Sequence, residues 1–229
     1  MSQSRLALVL DSTDPAHIRA FIDSVRGKDL VLKVGLKTLP QLPLEEWRRV
    51  AQSIDLFVDA KLHDIPDQVA GAVSVWSGIG AKYITLHCQG GPAMMETAVK
   101  HAGPHTRILG VTVLTSLAAS DLTRMGVQQS VEDYVSDLVR VSLDAGVNSF
   151  VSSVLEVGAI RRVAGAKATY HVCPGISLGG HAGADQKRVV DLETALRERV
   201  DLLVMGRSLT ESANFMDSLD KVLETIARV

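Results

Sequence analysis

Asp59-Ala60-Lys61-Leu62-His63-Asp64-Ile65-Pro66 follows directly on the apolar run Leu56-Phe57-Val58, so three charges stand where a buried strand ends and Ile-Pro opens the next segment. A strand through 55–59 is predicted here. Residues two apart on a strand share a face, so Asp59 and Lys61 are expected to point the same way, with Asp64 following in the turn. Facing a cavity, a carboxylate and an ammonium side by side fix one another's charge, which makes the pair a candidate acid/base device. Taken alone, the stretch reads equally well as a solvated strand end with a helix cap.

The same unit, a short apolar run and then a longer amphipathic segment, recurs along the chain. Eight runs are present: Leu6–Leu10, Leu30–Val34, Leu56–Asp59, Tyr83–Leu86, Ile108–Val113, Ser149–Ser152, Tyr170–Cys173 and Leu202–Met205. Most are β-branched or leucine-rich, as strands buried on both faces should be. Helix starts fall between them, at Asp14-Pro15 and at Ser130 three residues before Asp133, and Gly80, Gly146 and Gly165 stand where helices should stop. Eight strand–helix units in 229 residues fit a compact α/β fold of the (β/α)8 TIM-barrel type, one domain over 1–229, better than an open doubly wound sheet.

Composition narrows the function classes. With 46% hydrophobic and 22% charged residues the chain buries a sizeable core, and a net charge of −2 with 4% aromatics offers neither a basic surface nor stacking platforms for nucleic acid. A small-molecule partner is expected. Cys88 and Cys173 lack CxxC spacing and read as buried, reduced thiols. The run Leu6–Leu10 is too brief for a signal peptide or membrane span, so a cytoplasmic protein with no membrane partner is expected.

A barrel of this type carries its active site at the C-terminal ends of the strands. There the sequence sets Asp11, Lys33-Val34-Gly35, Asp59 with Lys61, His87-Cys88-Gln89-Gly90-Gly91, Thr115-Ser116, Cys173-Pro174-Gly175-Ile176-Ser177 and Gly206-Arg207-Ser208. Neighbouring strands lie about 4.8 Å apart, so Lys33 on the second can reach Asp59 on the third. Loops after the seventh and eighth strands of such barrels often hold phosphate. Gly206 would let backbone amides approach the anion, and the Arg207 guanidinium would bind two of its oxygens. The segment Ser177 to Gln186, with Gly179, Gly180 and Gly183, reads as a mobile lid or as a long surface loop.

Other residues attract less. His87 and His171 have no second ligand at metal spacing and read as satisfied core or mouth histidines, and Met94-Met95 reads as helix packing. His63 either orients its charged neighbours or points outward. No GxGxxG follows a strand, so no nucleotide cofactor is implied.

Asp59-x-Lys61-x-x-Asp64-Ile65-Pro66 with Lys33-Val34-Gly35 upstream resembles the orotidine 5'-phosphate decarboxylase family. The likeness continues through Ala7-Leu8-Val9-Leu10-Asp11, Gly90-Gly91, Val111-Thr112-Val113-Leu114-Thr115-Ser116, Pro174-Gly175-Ile176, Asp185-Gln186-Lys187-Arg188 and Gly206-Arg207, in family order. It implies a homodimeric barrel converting orotidine monophosphate to uridine monophosphate and carbon dioxide in pyrimidine synthesis, without metal or cofactor. It also implies roles: Lys61 as proton donor, Asp59 and Lys33 as its support, and Asp64 completing an alternating charge set from the neighbouring subunit. Asp11 and Lys33 would meet the ribose, Thr115-Ser116 the pyrimidine edge, and Gln186 with Arg207 the phosphate beside Pro174 and Gly206.

Two positions depart from the family pattern. Asp67-Gln68 replaces the usual Asn-Thr, so Gln68 is expected to substitute in a ribose contact across the dimer, and Ser177 stands where many bacterial members carry a phosphate-binding arginine. Relatives that are hexulose-phosphate aldolases or keto-gulonate-phosphate decarboxylases share the Asp-x-Lys-x-x-Asp turn but hold magnesium partly through a Glu on strand two. Lys33 occupies that place here and would repel the ion. A catalytically silent nucleotide-binding barrel, the remaining alternative, has no need of the charged set.

Overall fold

The computed structural model describes residues 5–178 and 189–229. Eight parallel strands close into a barrel. They are β1 (Leu6–Leu10), β2 (Val31–Gly35), β3 (Asp55–Leu62), β4 (Tyr83–His87), β5 (Arg107–Val111), β6 (Ser149–Val151), β7 (Tyr170–Cys173) and β10 (Leu202–Met205), in the order β1-β10-β7-β6-β5-β4-β3-β2. Each of the eight predicted runs becomes one of these strands. A small parallel pair, β8 (Ile176–Ser177) with β9 (Val190–Asp191), lies outside the barrel and was not foreseen, because two-residue strands carry no periodicity to read.

Strand alternation builds two apolar layers. Inward-facing Ala7, Val31, Phe57, Tyr83, Leu109, Val172, Leu202 and Val204 fill the barrel. Outward-facing residues of the same strands, such as Leu8, Leu32, Leu56 and Ile84, pack against the helices. Each fully buried side chain of this size contributes roughly 1.5–3 kcal/mol relative to exposure, so the two layers supply most of the driving force for closure.

Helix ends follow local chemistry. The Asp14 carboxylate accepts from the Ala16 amide at 2.9 Å ahead of Pro15–Val25, and the Ser130 hydroxyl accepts from the Asp133 amide at 3.1 Å ahead of Val131–Asp144. Gly146 (φ 85°), just past Asp144, and Gly165 (φ 57°), capping Val157–Ala164, take the left-handed backbone that only glycine adopts without strain. Among the described residues no helix is long and apolar enough to cross a membrane.

β3 departs from its prediction in a way that shapes the site. The strand was expected to stop at Asp59, and it continues to Leu62 with Asp59 and Lys61 inside it. Its register against β4 slips: Val58 pairs with Ile84 and Leu62 with Leu86, four steps on one strand against two on the other. The extra residues form a bulge, and within it Lys61 takes φ 47°, left-handed and uncommon for a non-glycine.

Candidate active site

The inward phase that sets Val31, Phe57 and Tyr83 in the barrel core continues two residues on to Lys33, Asp59 and Thr85, at the C-terminal mouth. Polar groups thus replace apolar ones on three adjacent strands. The Lys33 ammonium donates to Asp59 Oδ2 at 2.6 Å, and the Lys61 ammonium donates to Oδ1 at 2.8 Å. The Thr85 hydroxyl, fully buried, donates to the same Oδ1 at 3.0 Å and accepts from the Lys61 backbone amide at 2.8 Å.

Asp59 is 7% exposed, so it needs these partners. Burial pushes its carboxyl upward, but Lys33 and Lys61 beside it more than offset that and hold it at about 2. The carboxylate is therefore ionised at any working pH. Lys61, a third exposed, reaches from this anchor into the cavity above.

That cavity, about 730 Å3, opens at the strand ends and is of a size that takes a nucleotide. Asp11, Lys33, Asp59, Lys61, Thr115, Pro174, Ser177, Gly206 and Arg207 all line it. Val9, Phe57, Val111, Val113 and Val151 give it an apolar wall, which the sequence reading missed although the inward phase of each strand foretells it. Thr85 was missed for a related reason. It is a small polar residue in an inward position between the apolar Ile84 and Leu86, and that was the signal.

Opposite the lysines, the Ser208 hydroxyl donates to the Ile176 carbonyl at 3.3 Å, tying the segment after β7 to the segment after β10, and the Val190 amide donates to the Gly175 carbonyl at 2.9 Å, tying it to β9. Ser177, 2% exposed, has a buried hydroxyl without a hydrogen-bond partner among the described residues, and Arg207 stands exposed at the cavity edge. A buried hydroxyl in that state is suited to an acceptor arriving with a ligand.

Three predicted residues do not line this cavity. Asp64 is exposed, its carboxylate accepting from the Ile65 amide at 2.7 Å, and Gln68 is exposed on the helix Pro66–Gly78 beside Asp67 and Gly71. Ser116 is exposed, one residue beyond Thr115. Gln186, with Gly179, Gly180 and Gly183, lies outside the described residues.

The histidines sit in the core and at the mouth, but they are not fully satisfied, since His87 Nδ1 and His171 Nδ1 are buried with no hydrogen-bond partner among the described residues. His171 is 1% exposed, with Nε2 2.9 Å from the Thr169 hydroxyl, and His87 meets exposed His63 in a tilted arrangement, 5.6 Å between ring centroids and 42° between planes. Met94 and Met95 are buried in helix packing, and both cysteines are buried and free. Among the described residues no three His, Cys, Asp or Glu side chains cluster as a metal site.

The chain matches the Orotidine 5'-phosphate decarboxylase / HUMPS family over residues 4–222. It belongs to that family. Orotidine 5'-phosphate decarboxylase of Escherichia coli O127:H6 is 32% identical over 233 residues, covering 100% of this chain and 95% of the relative. The enzyme of the same name from Shigella dysenteriae serotype 1 is 31% identical with the same coverage. In fold, the chain is similar to orotidine 5'-phosphate decarboxylase from Lactobacillus acidophilus, with TM-score 0.83 and 21% identity over 97% of this chain and 99% of that one. An uncharacterized conserved protein from Geobacillus kaustophilus gives TM-score 0.82 and 24% identity over 96% and 99%. In this orotidine 5'-phosphate decarboxylase family member one buried aspartate stands between two lysines at the cavity.

Proposed function

We propose that this family member decarboxylates orotidine 5'-monophosphate through Lys61, the cation that Asp59 anchors at the foot of the cavity. The bond from C6 to the carboxylate breaks, its electron pair stays at C6 in an sp² orbital that the ring delocalises poorly, and carbon dioxide leaves. Two unit charges 4 Å apart attract by about 4 kcal/mol at an effective dielectric of 20, so a preorganised ammonium beside C6 lowers the barrier where charge develops. Lys61 then gives its proton to C6 and recovers one from solvent. Asp59 keeps Lys61 charged and placed, and Lys33 supports Asp59 and contacts the ribose with Asp11.

The observation that carries this reading is the shared carboxylate: Lys33 at 2.6 Å and Lys61 at 2.8 Å hold one buried aspartate between them inside the cavity. Thr115 reads the pyrimidine edge from the cavity wall, while Gln186, Pro174, Ser177, Gly206 and Arg207 receive the phosphate. Asp64 and Gln68, exposed and outside their own chain's cavity, are supplied to the pocket of a second copy in a homodimer. The reaction needs no metal or cofactor, because Lys33 stands where a magnesium-using relative needs a carboxylate.

Loss of orotidine monophosphate absorbance, followed with and without EDTA, tests the reading. Turnover should be unchanged by chelator. Turnover lost with EDTA and restored by magnesium would overturn the cofactor-free reading, and no turnover at all would leave the metal-using aldolase or keto-gulonate-phosphate chemistry or a catalytically silent barrel.

A further inference from the structure

The bulge in β3 poses a physical question, since a lysine in the left-handed region is strained and something must hold it there. Regular pairing places Phe57 opposite Tyr83 and Val58 opposite Ile84, so Asp59 comes level with Thr85 where the register breaks. The Lys61 amide then meets the Thr85 side chain at 2.8 Å. The same hydroxyl passes its proton to Asp59 Oδ1 at 3.0 Å, the oxygen to which the Lys61 ammonium also donates, at 2.8 Å. Backbone amide, hydroxyl, carboxylate and ammonium form a closed ring that begins and ends on Lys61. Thr85 is the one member drawn from another strand.

We propose that Thr85 is a positioning residue for the decarboxylation, its hydroxyl fixing both the Lys61 backbone and the Asp59 carboxylate and so the point at which the Lys61 ammonium sits. The role rests on the catalytic assignment of Lys61 made above. Without the hydroxyl, the Lys61 amide and one Asp59 lone pair lose their partner in a buried position, and the bulge can relax toward an ordinary ladder. A displacement of about 1 Å in a catalytic group costs about 10²-fold in rate. Thr85 bonds to the Lys61 amide and Asp59 Oδ1, whereas Lys33 holds the other carboxylate oxygen and the phosphate residues stand across the cavity, so the loss should fall mainly on kcat.

Steady-state kinetics of Thr85→Val and Thr85→Ser, with uridine monophosphate binding measured in parallel, test this. Thr85→Val keeps the shape and removes the hydroxyl; its kcat should fall roughly 10- to 100-fold while KM and product affinity stay within about threefold. Thr85→Ser restores the hydroxyl and should return kcat to within about threefold of wild type by the same argument. If Thr85→Val does not fold, Thr85→Ala takes its place with the same expectation. A hydroxyl-free variant with kcat near wild type overturns the proposal, and so does an equal fall in both variants, since shape and not the hydroxyl would then be at work. Wild-type enzyme without turnover on orotidine monophosphate overturns the underlying functional reading instead.

Discussion

Lys61 and Asp59 lie two residues apart on one strand, and the ammonium of the first meets the carboxylate of the second at 2.8 Å because the strand bulges between Val58 and Leu62. A straight strand would carry residues two apart in parallel, both standing up from the same face. The left-handed turn at Lys61 bends its backbone so that a long side chain closes onto its near neighbour. The cation is thereby held at a fixed height in the cavity.

Lys61→Ala should cost at least the roughly 10²- to 10⁴-fold of a positioned proton donor, with further loss from missing electrostatic stabilisation. Asp59 retains Lys33 at 2.6 Å in the variant, so the buried carboxylate is not stranded and the fold should persist. Steady-state turnover within tenfold of wild type would remove Lys61 from the centre of the chemistry.

Grip on the phosphate is separable from bond breaking. Arg207→Ala should lower kcat/KM for the full nucleotide, since binding energy from the remote group is used at the reacting centre. The weak turnover of the nucleoside without its phosphate should hardly change. Ser177→Ala should show the same selectivity with a smaller loss, on the order of the roughly tenfold that one hydrogen bond supplies. Equal losses with both substrates would assign Arg207 to something other than the phosphate.

Acid stability should carry the mark of His171. Burial, aided by Arg161 and opposed by Asp201, lowers its imidazole to about 4, whereas an unfolded histidine titrates near 6.5. Between those values the unfolded chain binds the extra proton, so stability falls as the pH drops from about 6.5 toward 4. Burial lowers His87 in the same direction. Asp59 acts in a separate window: its depressed carboxyl contributes stability that is full above about 4 and is lost toward its folded value of about 2. Urea midpoints measured at pH 7.5 and 5 should therefore differ less in His171→Asn than in wild type. An unchanged difference would locate the titration elsewhere.

Most of the barrel was legible because parallel strands buried on both faces write their position as apolar runs, and all eight are found where those runs stand. Lys33 was legible as a partner of Asp59 because adjacent strands have a fixed spacing. The bulge was not, for it depends on how β3 meets β4, and nothing within 55–62 alone announces two extra residues. Thr85 was readable in principle: counting two residues on from inward Tyr83 reaches it, a hydroxyl at the level of Asp59. Asp64 shows where reading along one chain stops. Its motif spacing is plain, yet its carboxylate lies outside its own cavity, and the proposed supply to a second copy is not something one chain displays.

The proposed sharing of a pocket between subunits yields the sharpest expectation. Lys61 lines the cavity of its own chain, and Asp64 does not. If Asp64 serves the partner's pocket, Lys61→Ala and Asp64→Asn homodimers are each impaired at both sites, but a mixed dimer gathers both lesions into one pocket and leaves the other whole. Random pairing of equal amounts makes half the dimers mixed, and half the pockets of those work, giving about a quarter of wild-type activity. The subunits must be dissociated and reassociated, with exchange verified by mass-tagged chains. Activity rising toward a quarter after exchange is the expected outcome, and it cannot arise from either mutant alone. Verified mixed dimers with no more activity than the separate mutants would mean that Asp64 acts within its own chain, and the cross-subunit assignment would fail.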